Sequence, residues 1–145
     1  MRKKSVDNSI PSRVLLIDDD DSMVEMLLQI LEPELFQVVT ADNSLKGIET
    51  VQKFFPDVVI INLLMPDMSG WEICKTIRDF SQVPILVLSA ISKPGMVSKA
   101  LDEGADDYLI KPVTSSVLIA HVKRLARRAR AKNDPDNPNI VYCEA

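Results

Sequence analysis

The sequence predicts a doubly wound α/β sandwich, in which helices cover both faces of a parallel sheet. Two observations lead to this prediction. Five short apolar runs alternate along the chain with segments whose apolar residues have helical spacing. The runs are continuously apolar rather than alternating, which is typical of strands buried on both faces. Crossovers between parallel strands are nearly always right-handed, so repeated strand–helix units build one sheet with covered faces.

Each predicted strand is a short apolar run that ends at polar or turn-forming residues. The first run, VLLI, ends at four consecutive aspartates, and the third, VVII, ends at Asn62. Pro84 precedes the fourth run and marks its beginning. We therefore expect strands at residues 14–17, 36–40, 58–61, 85–88 and 108–110.

A helical segment follows each strand, and most of these segments have a recognisable boundary residue. Pro33 ends the first segment, and Pro56 limits the second, which Ser44 is positioned to cap. Gly104 follows the fourth segment, in the position usual for a helix C-terminus. The expected helices span residues 23–31, 44–55, 70–80, 96–103 and 114–131.

The length and composition of the chain fit one globular domain. Of its 145 residues, 46% are hydrophobic and 26% are charged, so the chain can bury a core of useful size. The end of the chain is rich in Asn, Asp and Pro, which is typical of a linker. We divide the sequence into an N-terminal extension (1–12), one folded domain (13–131) and a C-terminal tail or linker (132–145).

Charge and cysteine content narrow the possible classes of function. The net charge of -4 and the pI of about 5.0 do not favour nucleic-acid binding by the domain as a whole. Basic residues near the end of the last helix suit a solvated surface at the negative end of the helix dipole, with a nucleic-acid patch as the alternative. Cys74 and Cys143 lack metal-site spacing, so we expect free thiols in a reducing compartment. Without a signal segment or an apolar run of about 20 residues, we expect a cytoplasmic protein with no membrane contact.

One edge of the predicted sheet collects polar side chains from four strand ends. The first strand delivers Asp18 and Asp19, the third Asn62, the fourth Ser89 and the fifth Lys111. Ligands of doubly wound sheets bind at the carboxyl ends of the strands. Paired carboxylates attract Mg²⁺, and a metal, a lysine and a hydroxyl can together neutralise a phosphoryl group. We expect a cation site beside a phosphate site; the alternative is that the aspartates cap the first helix and pair with the lysine.

Four motifs placed on these elements resemble those of a known signalling family. They are 14-VLLIDDDDSM-23, 56-PDVVIINLLMPDMSGWE-72, 86-LVLSA-90 and 104-GADDYLIKPV-113. Through them the chain resembles the receiver domain of two-component response regulators. The last motif, followed by 118-LIAHVKRLARR-128, is most similar to receivers that precede a winged-helix DNA-binding domain. The resemblance implies a flavodoxin-like (βα)5 sandwich with a five-stranded parallel sheet in the order 2-1-3-4-5.

The resemblance also implies roles for residues on the phosphate side of the site. Ser89 would contact a phosphoryl group, and Lys111 would form a salt bridge with it. Tyr108 would be the aromatic residue that changes rotamer on activation. The Lys111–Pro112 peptide bond is usually cis in the family.

On the metal side, the resemblance assigns Mg²⁺ binding to the carboxylates of Asp18 and Asp19 and to the backbone carbonyl of Leu64. Asn62 can also offer an oxygen to the metal. Because Asn62 removes one negative charge from the site, we expect Mg²⁺ binding to be weak or absent. For the same reason, Lys111 is expected to bond to one of the two aspartates.

Asn62 itself departs from the family pattern. It stands at the position of the aspartate that takes phosphate from a histidine kinase. Acyl phosphate formation needs a carboxylate nucleophile, so the chain as given is not expected to be phosphorylated there. Two origins remain open: a natural pseudo-receiver, or an engineered block of the phosphorylation site.

Protein partners follow from the same resemblance. They are a histidine kinase or phosphotransfer protein and, as a further candidate, a second copy bound through the fourth helix, fifth strand and fifth helix. The family commonly has arginine at the position of His121, so this dimer would be weaker or pH-dependent. A winged-helix domain needs on the order of 100 residues, which are not present, so we expect no direct contact with nucleic acid. The residues expected on the dimer face are Lys99, Asp102, Asp106, Asp107, His121 and Lys123.

Two other functions compete with that of a non-enzymatic signalling receiver. A Mg²⁺-dependent phosphatase or phosphotransferase can use a similar α/β sheet. Such an enzyme needs an aspartate nucleophile at a strand end, and the candidate positions here are Asn62 and the Asp18/Asp19 pair. A constitutive protein-interaction domain would have neither a phosphate nor a metal role.

Overall fold

The computed structural model describes residues 11–132, which form one five-stranded sheet with helices on both faces. All neighbouring strands are parallel, and each overlaps its predicted counterpart with ends that differ by at most one residue. Most of the predicted extension (1–12) and of the predicted tail (132–145) lies outside the described residues. The strands are β1 (Arg13–Ile17), β2 (Gln37–Ala41), β3 (Val58–Asn62), β4 (Ile85–Ser89) and β5 (Asp107–Ile110).

Each of the five predicted helices is present, with boundaries that differ from the prediction by one or two residues. A short 3-10 turn at Glu32–Glu34 follows the first helix, so the chain leaves that helix through Pro33. None of the helices in the described part of the chain is both long and apolar enough to cross a bilayer. The helices are α1 (Asp21–Leu31), α2 (Ser44–Phe54), α3 (Gly70–Arg78), α4 (Pro94–Asp102) and α5 (Ser115–Lys132).

The strands lie in the order β2-β1-β3-β4-β5, which confirms the predicted order. Ile17, the last residue of β1, is in register with Ala41 of β2 on one side and with Ile61 of β3 on the other. Asn62 is in register with Leu88 of β4. Because these strands end at nearly the same level, the residues that follow them meet at one edge of the sheet.

Each face of the sheet has its own hydrophobic core. Successive residues of a strand point to opposite faces, so Leu15 and Ile17 pack on one side while Val14 and Leu16 pack on the other. Helices α2, α3 and α4 cover the first side, and α1 and α5 cover the second. All four of these β1 residues are fully buried, which explains why the strand is a continuous apolar run in the sequence.

The helix starts correct one prediction. Ser44 does not cap α2; the cap is Asn43, whose side-chain oxygen accepts a hydrogen bond of 2.9 Å from the backbone N–H of Lys46. Ser44 is the first helical residue, and its hydroxyl is bonded elsewhere, as described below. Helix α3 begins with a capping box at Ser69. Gly104 follows α4 with φ of 117°, so the predicted helix stop adopts the left-handed conformation that favours glycine.

Arg78 joins the two loops that lead into β4 and β5. Its guanidinium donates to the carbonyl oxygens of Ser81 (3.1 Å), Val83 (2.8 Å) and Gly104 (3.1 Å). A salt bridge of 2.8 Å connects it to Asp106, and the two side chains are only 18% and 23% exposed. The same carboxylate oxygen of Asp106 accepts from the backbone N–H at the start of β4. One arginine thereby fixes the amino ends of two neighbouring strands.

Candidate functional site

Polar side chains from three separate segments meet at the carboxyl edge of the sheet. Asp18 follows β1, Asn62 ends β3 and Lys111 follows β5. The backbone N–H of Asp18 donates to the carbonyl of Ala41 at 3.1 Å, and that of Lys111 donates to the carbonyl of Ser89 at 2.8 Å. These bonds continue the strand pairing by one residue and so fix where the two side chains leave the sheet.

The amide of Asn62 connects the group. Its Nδ2 donates to Oδ1 of Asp18 at 3.3 Å and to the carbonyl oxygen of Leu64 at 3.0 Å. Its Oδ1 accepts from Nζ of Lys111 at 3.3 Å. A lysine ammonium can only donate, whereas a carboxylate and a carbonyl can only accept, so this orientation of the amide matches every donor with an acceptor. Asn62 thus links a carboxylate, a backbone carbonyl and an ammonium.

The contact made by Lys111 corrects the expectation that it would bond to Asp18 or Asp19. Its ammonium bonds to the neutral oxygen of Asn62, because the amide still presents an acceptor at the end of β3. The positive charge of Lys111 nevertheless acts on Asp18 through space and partly offsets the rise in the pKa of that carboxyl that burial causes. The Lys111–Pro112 peptide bond is cis, as the family resemblance implied.

Burial is the largest influence on the pKa of Asp18, whose side chain is mostly enclosed. This burial raises the pKa of Asp18 above its ordinary value, and the negative charges of Asp19 and Asp20 act in the same direction. A hydrogen bond of 3.0 Å from the backbone N–H of Asp20, together with the charge of Lys111, opposes the increase. The carboxyl of Asp18 therefore keeps its proton to a higher pH than a solvated aspartate would.

Ser89 and Tyr108, the other two residues predicted for the phosphate side, are linked through the backbone of Ile91. The Oγ of Ser89 accepts from the N–H of Ile91 at 3.0 Å, and the hydroxyl of Tyr108 donates to the carbonyl of Ile91 at 2.7 Å. Ser89 ends β4 and is buried. Its hydroxyl bonds to the loop after β4, whereas Asn62 and Lys111 bond to each other.

The residues predicted to hold Mg²⁺ do not fit the ion in this arrangement. Oδ1 of Asp18 and the carbonyl of Leu64 both accept from the amide nitrogen of Asn62, and Asp19 is exposed. Mg²⁺ requires a near-octahedral set of oxygen ligands, and an N–H donor between two candidate ligands does not belong to such a set. Within residues 11–132, no group of three or more His, Cys, Asp or Glu side chains could hold a metal ion. Metal binding stays a prediction.

Asp67 is a residue of this region whose role the sequence did not indicate. Its Oδ2 accepts hydrogen bonds from both the backbone N–H (3.0 Å) and the hydroxyl of Ser44. These bonds lower the pKa of Asp67 below its ordinary value. The contact joins the loop after β3 to the start of α2 across 23 residues of sequence. No local pattern marks it, since neither residue lies in the other's sequence neighbourhood.

Four of the six residues predicted for the dimer face have polar side-chain partners within the chain. The carboxylate of Asp107 contacts Nδ1 of His121 and forms a salt bridge of 2.7 Å with Arg124. Asp106 pairs with Arg128 as well as with the arginine described above. Arg124 and Arg128 of α5 are thus paired with acidic residues of β5 and the loop before it.

The other residues predicted for that face are Lys99, Asp102 and Lys123. Lys123 forms a salt bridge of 2.8 Å with Glu34, and Lys99 lies over the ring of Trp71 at 4.8 Å from its centroid. Asp102 is exposed at the end of α4. The dimer itself stays a prediction.

Cys74 lies on the buried face of α3 and packs in the core. This burial raises the pKa of its thiol to about 12, so the thiolate is not formed at neutral pH. The cysteine therefore acts as a small core residue. Cys143 lies outside the described residues.

A cavity of about 260 Å³ lies at the opposite, amino edge of the sheet. Its walls include Val51, Pro56, Pro84 and Ala129. None of the residues predicted for the functional site lines it, so it is separate from the polar cluster at the carboxyl edge.

Comparison with known sequences identifies the family. A model of the response regulator receiver domain matches residues 14–123. The DNA-binding response regulator MtrA of Mycobacterium tuberculosis (strain ATCC 25618 / H37Rv) is 34% identical over 131 residues, which make up 90% of this chain and 55% of that protein. Response regulator MprA of Mycobacterium sp. (strain KMS) is 32% identical over 136 residues, or 93% of this chain and 59% of that protein. The chain thus spans about half the length of the curated relatives it matches.

Solved structures agree with this identification. A two-component response regulator from Clostridium difficile is 32% identical, with a TM-score of 0.77 over 81% of this chain and 97% of that chain. Chemotaxis protein CheY4 of Vibrio cholerae is 30% identical, with a TM-score of 0.76 over 80% of this chain and 99% of that chain. With its sheet order of 2-1-3-4-5, the chain has the flavodoxin-like fold and belongs to the receiver domain family of two-component response regulators.

Proposed function

We propose that this receiver has Asn62 at the position of the phosphate-accepting aspartate, is therefore not phosphorylated as given, and acts through protein–protein contacts. The observation that carries the proposal is the position of Asn62 at the end of β3, hydrogen-bonded to Asp18 and Lys111. In this proposal the chain is a pseudo-receiver or a blocked variant in a two-component pathway. It is a signalling module rather than an enzyme.

The chemistry of the amide supports this proposal. Phosphate transfer to a receiver requires a carboxylate oxygen that attacks phosphorus and forms an acyl phosphate. The oxygen of Asn62 is neutral and accepts a hydrogen bond from Lys111, and both N–H groups have acceptors. An amide oxygen engaged with an ammonium has little electron density available for attack.

The nearby carboxylates are poorly placed to replace it. A nucleophile must lie in line with the phosphoryl donor. Asp67 is bonded to Ser44 through Oδ2. Asp57 precedes β3 at the other edge of the sheet, where it accepts from the backbone of Arg13 at 2.8 Å. Asp18 lies beside Asn62, but its Oδ1 already accepts two hydrogen bonds.

The partners in this proposal are a histidine kinase or phosphotransfer protein and, through α4, β5 and α5, a second copy of the chain. Three apolar side chains, one from each of these elements, support a protein contact on that face: Leu101, Ile110 and Val117 are 44%, 46% and 42% exposed. The ion pairs along α5 favour a solvated helix surface over a nucleic-acid patch. The longer relative MtrA is described as a DNA-binding response regulator, and we do not assign DNA binding to this chain. The proposed compartment is the cytoplasm.

Incubation with acetyl phosphate and Mg²⁺, followed by intact mass measurement, tests the proposal. The chain should gain no phosphoryl group, whereas an Asn62→Asp variant should gain one. A stable phosphoryl group on the unmodified chain would contradict the proposal, because another residue would then serve as acceptor. Continuous release of inorganic phosphate by the unmodified chain would instead support the phosphatase alternative.

A further inference from the structure

We propose that the amide of Asn62 takes the structural place of a divalent cation, so that this pocket is assembled without metal. The inference rests on the proposed function, since it concerns the same pocket. It goes further by giving Asn62 a positive role: the side chain positions its neighbours instead of merely lacking a nucleophilic oxygen.

The first argument is the position of the two amide N–H groups. They donate to Oδ1 of Asp18 and to the carbonyl of Leu64 at 3.3 and 3.0 Å, and these are two of the oxygens predicted as metal ligands. A cation would hold the same two oxygens together by its positive charge. The partly positive hydrogens of one amide supply that attraction here, with one donor for each acceptor.

The second argument is what an incoming cation would disturb. To become a ligand, the oxygen of Asn62 would have to turn toward Asp18 and Leu64. The nitrogen would then face the ammonium of Lys111, which would place two donors against each other. All three hydrogen bonds of the amide would be lost in that rotation.

The third argument is the balance of charge. Asp18 and Lys111 carry opposite charges and contact the same amide, so together they contribute no net charge to the pocket. Asp19 is exposed, so water screens its charge. Sites for hard cations depend on the number of charged oxygen ligands. An aspartate at position 62 would restore one such ligand, whereas asparagine adds no charged ligand to the pocket.

The glycine that begins α3 connects this amide to the loop after β3. The N–H of Gly70 donates to the carbonyl of Leu63 at 2.6 Å, and a Cβ on Gly70 would lie 2.8 Å from Cα of Leu63. The segment that carries the Leu64 carbonyl is therefore pressed against the start of α3. Asn62 bonds to the carbonyl of Leu64 and Gly70 bonds to that of Leu63, so two contacts hold this loop without a bound ion.

Calorimetric titration with MgCl₂ tests this proposal on the chain and on two variants. Asn62→Asp adds a charged ligand and should bind Mg²⁺ about tenfold more tightly or better than the unmodified chain. Asn62→Ala removes the amide without adding charge and should gain no affinity. In hydrogen exchange without metal, Asn62→Ala should exchange faster than the unmodified chain at the N–H groups of Leu64, Met65 and Asp67.

The side-chain amide signals of Asn62 in a ¹H–¹⁵N spectrum give a direct reading. They should stay unchanged when millimolar Mg²⁺ is added to the unmodified chain. Mg²⁺ affinity equal to that of Asn62→Asp, or movement of these signals with Mg²⁺, would overturn the inference. Unchanged hydrogen exchange in Asn62→Ala would also overturn it, because the amide would then position nothing. A chain that binds Mg²⁺ yet gains no phosphoryl group would refute this inference alone and leave the proposed function standing.

Discussion

Replacing Arg78 with methionine should destabilise the domain strongly, because one side chain serves two loops. The variant keeps most of the apolar stem and loses three hydrogen bonds to backbone carbonyls and one salt bridge to Asp106. All four contacts involve the charged guanidinium, and hydrogen bonds of charged groups contribute about 1.5–3 kcal/mol each, so their simple sum is about 6–12 kcal/mol. Because contacts made by one side chain are not additive, and because this side chain is 18% exposed so that water can reach the freed groups, we expect a smaller loss of about 3 kcal/mol.

Urea unfolding followed by far-ultraviolet circular dichroism measures this loss. The matched control is Arg127→Met, since Arg127 is exposed on α5 and forms no salt bridge within residues 11–132. Its effect should stay within about 0.5 kcal/mol. If Arg78→Met costs less than about 1 kcal/mol at an unchanged m-value, the loop carbonyls find equivalent partners in water, and the structural role given to Arg78 is wrong.

Three further predictions address single contacts. Tyr108→Phe removes one hydrogen bond and should lower the free energy of unfolding by about 0.5–1.5 kcal/mol, with faster hydrogen exchange in the loop after β4; unchanged exchange would contradict the contact. In a Cys143→Ser variant, Cys74 should react with a thiol reagent at pH 8 only as fast as the protein unfolds, and rapid labelling under native conditions would show that the thiol is not buried. Asp67 has a lowered pKa in the folded state, so its stabilising effect is present above its unfolded pKa near 3.8 and is lost as the pH falls through the lower folded value. The difference in unfolding free energy between the unmodified chain and Asp67→Ala should therefore shrink in acid. Ser44→Ala removes the hydroxyl donor but keeps the backbone N–H, so it should cost only part of the stability that Asp67→Ala costs.

The fold was largely predictable because the three central strands, β1, β3 and β4, are buried on both faces. Two-sided burial requires a continuous apolar run such as VLLI or VVII, and such runs are visible in the sequence without knowledge of their neighbours. The cap of α2 was predicted less accurately, because two neighbouring residues could serve the same local purpose. Asn43 and Ser44 can both cap a helix, and Ser44 instead bonds to Asp67, which lies 23 residues away in the sequence.

The residues that form the site could be predicted, whereas the contacts between them were harder to predict. Strand ends indicated that Asp18, Asn62 and Lys111 would meet, because parallel strands deliver their following residues to one edge. The partner of Lys111 depended on the direction of an amide, which the sequence does not specify. Arg78 looked like an ordinary basic residue in the last turn of a helix, since its acceptors are carbonyls and carbonyls carry no sequence signal.

The backbone of Ile91 has a consequence for how such a domain responds to its partners. One peptide segment holds the hydroxyls of Ser89, on the pocket side, and Tyr108, on the side of β5. A shift of that segment which releases one hydroxyl also strains the bond to the other. We therefore expect the two surfaces to be coupled, so that a ligand which stabilises one of them also restrains the other.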